Sequence, residues 1–134
     1  MTPGDRTVFD RCFEEVFRAL PPAIRSMIER DLAVIVEDEP TADMLADVGM
    51  AGEPAESLLG LHTGVPLTEQ SVEDHGVSPP IVHLFRAGLL AEASSADGTI
   101  DGERLREQIR ITLLHEIGHH YGLDEDDLDA LGYA

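Results

Sequence analysis

Basic side chains are scarce in this chain, and so are cysteine and the large aromatics. Nine Lys and Arg stand against 27 Asp and Glu, a formal net charge of −18 over 134 residues. A surface that acidic repels phosphate backbones and anionic headgroups, so nucleic acid and membrane surfaces are excluded as partners. A basic peptide or protein remains compatible with it. A single cysteine, Cys12, leaves no internal disulfide and no multi-cysteine structural zinc, and suits a reducing compartment. Aromatics make up 4% with no Trp, so a core must be built mainly from Leu, Ile, Val and Ala. No window approaches the roughly 18 apolar residues of a membrane span, and no apolar run of signal-peptide length follows Met1. The expected address is cytoplasmic. The length fits one domain, residues 1–134.

What the chain does have is concentrated near its C-terminus: Leu113-Leu114-His115-Glu116-Ile117-Gly118-His119-His120-Tyr121-Gly122-Leu123-Asp124-Glu125. Its centre is H-E-x-x-H, the pattern that places two imidazoles on one helical face beside a carboxylate. Four residues turn an α-helix by about 400° and raise it about 6 Å, so His115 and His119 share a face and can share one metal ion. Glu116 lies about 60° from His119 around the axis, at the margin of that face, where it is better placed to reach a water than to ligate. A straight helix would carry residue 125 about 15 Å from His115, so a third ligand there requires the chain to reverse. Gly122 supplies the break, because glycine enters the left-handed conformation without a Cβ penalty. The resulting spacing, H-E-x-x-H-x-x-G-x-x-E, is that of the metzincins with Glu125 where a third histidine usually stands.

On these residues the chain resembles the short bacterial zincin-like metallopeptidases, which are metzincin-like but lack a Met-turn. The resemblance extends to Val34–Pro40, Leu59–Thr68, Ile81–Arg86 and everything from Ile109 to Gly132. It implies a zincin-like α+β fold, a small mixed sheet of about three or four strands packed on helices that include the H-E-x-x-H helix. It also implies Zn²⁺ held by His115, His119 and residue 125, Glu116 as general base, and an edge strand that holds the substrate backbone. The usual third-ligand aspartate is Glu125 here, flanked by Asp124 and Asp126 as alternatives. All four methionines precede the motif, so no Met-turn can lie beneath the metal.

Along the chain, Thr2 and Pro3 start a helix whose apolar stripe is Phe9, Phe13, Val16, Phe17 and Leu20, with Cys12 beside it as a core residue. Pro21-Pro22 ends it, and a shorter helix follows to about Arg30. Leu32–Val36 reads as a buried strand and Glu37-Asp38-Glu39-Pro40 as its solvated end. Residues 41–57 read as a surface excursion with weak helical signal at 42–48. Strands are expected at Ser57–His62 and Ile81–Arg86, separated by a turn at Gly64-Val65-Pro66 and a polar loop over 69–80. His62, His75 and His83 read as packing or surface residues, His62 being the most interesting of the three. Asp97–Glu103 imitates half of a calcium-binding loop, but Ala93 and Arg104 fall where acids are needed and no helix is expected ahead of it. Asp101 instead caps the active helix, about 102–121, whose buried back is Leu105, Ile109, Leu113, Leu114 and Ile117. His120 points about 100° away from His119, toward packing or support of the site rather than ligation. Tyr121 and Tyr133 are candidate oxyanion stabilisers. The expected function is a zinc-dependent peptidase acting on a peptide or protein, the alternative being a zinc-binding interaction module without turnover.

Overall fold

The computed structural model describes residues 1–64 and 80–130, apart from the side chains of Glu125 and Leu128. Thr2 and Asp5 begin α1 (Pro3–Ala19) by satisfying each other's backbone N–H groups, at 3.1 and 3.0 Å. Pro21 and Pro22 separate α1 from α2 (Pro22–Asp31). Strand β1 (Ala33–Glu37) follows, then α3 (Ala42–Asp47) capped by Thr41, a single 3₁₀ turn at Ala55–Ser57, and strand β2 (Gly60–Thr63). Strand β3 (Ile81–Phe85) runs directly into α4 (Arg86–Glu92). The long α5 (Gly102–Tyr121) and the short α6 (Glu125–Ala130) complete the described chain. The expected polar loop, the Val65-Pro66 end of the turn, His75 and Tyr133 lie outside the described residues.

The sheet order is β1-β3-β2, with β1 parallel and β2 antiparallel to the central β3. Being central, β3 is covered on both faces: Val82, Leu84 and Phe85 are fully buried and His83 nearly so. One face packs on α5. The core gathers Phe9, Cys12 and Val16 of α1, Leu89 and Leu90 of α4, and Leu105, Ile109, Leu113, Leu114 and Ile117 of α5. Cys12 is thus a buried core residue, and the expected back of α5 is the observed one.

Three expectations are corrected. A helix, α4, does stand ahead of the 97–103 turn; the strand passes into it with no polar cap, since Phe85 occupies the N-cap position without a side-chain bond. The second strand begins at Gly60 rather than Ser57, because Pro54 starts a 3₁₀ turn there. The acids after β1 are paired rather than merely solvated. Asp38 accepts from Arg6 at 2.9 Å and from Arg86 at 3.0 Å, and Arg86 also reaches Asp10 at 2.9 Å. This network ties α1 and α4 to the end of β1. Among the described residues, no helix is long and apolar enough to cross a membrane.

Candidate metal centre

Asp101 begins α5 by accepting from the Glu103 and Arg104 N–H groups, and Gly122 ends it at φ 70°, ψ 25°. The Gly122 N–H bonds to the Gly118 and His119 carbonyls, and the Leu123 N–H donates to Gly118 O at 2.7 Å, which closes the helix and turns the chain. Asp124 and Asp127 then exchange side-chain-to-backbone bonds of 3.0 and 2.8 Å at the start of α6. These are the two signals read in the sequence, an aspartate cap and a glycine break, at the positions expected.

At the C-terminal end of α5, His115, Glu116 and His119 each place one ligand atom so that all three lie within 4.8 Å of one another. The His115 and His119 rings sit 4.6 Å apart, tilted by 59°. His119 Nδ1 is 3.6 Å from a Glu116 carboxylate oxygen; the His119 side chain is 55% exposed and that of Glu116 only 11%. Burial raises the Glu116 pKa above the ordinary carboxylate value, against the opposing pull of His119, His115 and the nearby backbone of His62. Among the described residues no other carboxylate joins the group, Asp124 and Asp126 included. An oxygen of Asp124 is already engaged with the Asp127 N–H. Glu125, whose side chain is outside the described set, opens α6 directly after the glycine break.

Strand β2 lies against this end of α5 because Gly60 has no side chain. A Cβ there would meet Thr112 Cγ2 at 2.7 Å and Glu116 Cγ at 3.4 Å. Two residues on, His62 Nε2 pairs with His120 Nδ1 at 3.2 Å, and the rings are 5.3 Å apart. His120 is fully buried, in keeping with support rather than ligation, and its Nε2 has no partner among the described residues. Burial lowers the pKa of both imidazoles, helped at His62 by the other histidines and opposed at His120 by Asp31. His83 bridges the strands on the other face: its Nδ1 meets Glu37 at 2.5 Å and its Nε2 meets Thr63 Oγ1 at 3.0 Å. Tyr121 is not free for an oxyanion. Its hydroxyl donates to Met27 O and Asp31 at 3.1 and 2.7 Å, and burial drives its pKa well above the usual phenol value.

The sequence did not single out Gly60, Thr112 or the coupling of His62 to the site. Glycine in a strand is the one signal that could have pointed there, since it often marks a close approach of another element.

Two histidines one turn apart on a helix, with a buried glutamate between them and a small mixed sheet alongside, define a metal-site protein of the zincin class. The sequence profile of the zincin-like metallopeptidases matches residues 29–133, from the end of α2 past α6. The chain belongs to that family. Membership implies a metal, typically zinc. No curated protein matches the chain by sequence.

Proposed function

We propose that this protein is a zinc-dependent peptidase in which His115, His119 and Glu125 hold the metal and Glu116 is the general base. The observation that carries the reading is the convergence of the two imidazoles and the Glu116 carboxylate within 4.8 Å on one rigid helix end. Ligands at about 2.0–2.1 Å from a tetrahedral centre stand roughly 3.4 Å apart, a spacing the two histidines can meet. The donor chemistry fits as well: two imidazoles and a carboxylate suit zinc, and Cys12 is buried elsewhere. When bound, zinc supplies Lewis acidity, polarising the scissile carbonyl and bringing the pKa of a water toward about 7.

Glu116 takes a proton from the attacking water and delivers it to the departing amine nitrogen. Its burial suits both halves of that task, because a carboxylate with a raised pKa holds a transferred proton more readily. Among the described residues strand β2 is an edge strand and lies beside α5, whereas β3 is central and has no free edge. An extended peptide laid along β2 would run past the Glu116 carboxylate, with main-chain hydrogen bonds supplying affinity. The acidic chain favours basic peptides as substrates.

The test is metal analysis of the purified protein with and without chelator, followed by cleavage of a broad peptide library. The expected result is one zinc per chain and cleavage that chelation abolishes and zinc restores. Glu116→Ala should keep the zinc and lower cleavage by about 10²–10⁴-fold. One bound zinc with no cleavage of any peptide would instead indicate an interaction module.

A further inference from the structure

We infer that Tyr121 is a positioning residue of the metal centre: its hydroxyl, bonded to the end of α2, fixes the last turn of α5 and the reversal that leads to Glu125. This rests on the reading above, in which His119 before that reversal and Glu125 after it hold zinc.

Ligands on either side of a chain reversal keep a common centre only if the reversal is rigid. The last turn of a helix is where rigidity is hardest to keep, because its final carbonyls have no helical partner and the end frays. In α5 the buried aliphatic anchors stop at Ile117, ahead of His119. Beyond Ile117, among the described residues, only two side chains of the helix hydrogen-bond to another element: His120 to His62 of β2, and Tyr121 to α2. Tyr121 is the final helical residue and immediately precedes Gly122, where the chain turns. It therefore holds the hinge itself, between the two ligands.

This is more than a buried phenol finding a partner. One acceptor satisfies the hydroxyl, and the Met27 carbonyl supplies it at 3.1 Å. The Asp31 carboxylate adds a second, shorter contact of 2.7 Å, and a bond to a charged oxygen is the stronger kind. Asp31 is the last residue of α2, where the helix dipole disfavours negative charge. That placement is unfavourable for α2 alone, yet it presents the carboxylate to Tyr121. Arg30 grips both carboxylate oxygens at 3.0 Å, which holds the acceptor in one orientation.

The test uses the full chain and reads zinc itself. Tyr121→Phe removes the hydroxyl and keeps the ring, with its edge contact to His120 at 4.9 Å. Dissociation constants for zinc are measured by chelator competition at a temperature where every apoprotein is folded. Tyr121→Phe should bind zinc about tenfold more weakly, the low end of what groups supporting a metal ligand contribute. Asp31→Ala leaves the Met27 acceptor and should lose less, and the double mutant should lose no more than Tyr121→Phe. Asp31→Asn removes the charge but keeps an oxygen for the hydroxyl, so it should stay close to wild type. In metal-free protein, exchange of the Leu123 amide, which closes the helix on Gly118 O at 2.7 Å, should quicken in Tyr121→Phe while that of Ile109 does not. Wild-type zinc affinity in Tyr121→Phe, whatever its stability, would overturn the proposal. So would additive losses, an Asp31→Asn variant as weak as Asp31→Ala, or unchanged Leu123 exchange. Should Tyr121→Phe fail to fold, unchanged affinity and exchange in Asp31→Ala overturn it instead. Glu125→Ala keeps the two failures apart: zinc affinity unmoved by that change sinks the ligand assignment, whereas Leu123 exchange reports on the tether by itself.

Discussion

A missing methyl group decides how close strand and helix come. At Gly60 the neighbouring Thr112 methyl would stand 2.7 Å from any Cβ, with the His83 carbonyl at 3.1 Å. Gly60→Ala should therefore destabilise the protein by about 1–3 kcal/mol, the range for overpacking, read as a lower midpoint in denaturant at unchanged slope. Thr112→Ser in the same background removes the clashing methyl and should recover part of the loss. The grouping of His115, Glu116 and His119 was legible in the sequence because H-E-x-x-H is a local pattern on one helix. The pairing of His62 with His120 was not, since the two lie 58 residues apart and meet only once β2 docks. The same distance hides the pairing of Glu37 with His83 and of Asp38 with two arginines, residues whose local sequence looks like a solvated strand end.

Elements were legible where their ends are chemically marked. Thr2 and Pro3, Asp101 and Gly122 each sit where a cap or break is needed, and the bounds of α1 and α5 follow from them nearly to the residue. Helix α4 carries no such mark: a strand flows into it through Phe85, and its run of Leu and Ala has no polar start. The mixed pairing of the three described strands came from tertiary contact, not from alternation, because β3 is buried on both faces and shows none. The break at Gly122 carries a specific expectation. Its φ of 70° costs an L-residue about 1–2 kcal/mol, so Gly122→Ala should lower stability by that amount. Because α6 and Glu125 follow directly, zinc affinity by competition with a chromophoric chelator should fall in the same variant, whereas a surface alanine change on α1 should leave it alone.

Across the whole molecule, charge is segregated as well as unbalanced. Every basic residue lies within residues 6–30 or 86–110, so β1, α3, β2, the last turns of α5 and all of α6 contain none. A basic peptide should accordingly be cleaved faster than its neutral counterpart at low salt, and the ratio should shrink toward one near 1 M salt, where the screening length falls to about 3 Å. An unchanged ratio would show that the acidic field plays no part in substrate choice. The exposed pairs around Asp38 carry a pH signature. Its pKa is lowered, first by the bond from Arg6 and then by Arg86, so its contribution is present above the unfolded value near 3.8. That contribution disappears as pH falls through the lower folded value. The stability gap between wild type and Asp38→Asn should thus be constant at neutral pH and close in acid, measured by denaturant midpoints at stepped pH. One further consequence follows from how α5 is anchored. Its greasy first three turns are locked among α1, α4 and the sheet, while the imidazoles occupy its far end. Ion exchange at that tip need not unmake the scaffold, so dialysis against cobalt should yield a coloured, folded protein, giving a visible-light window on what enters the site.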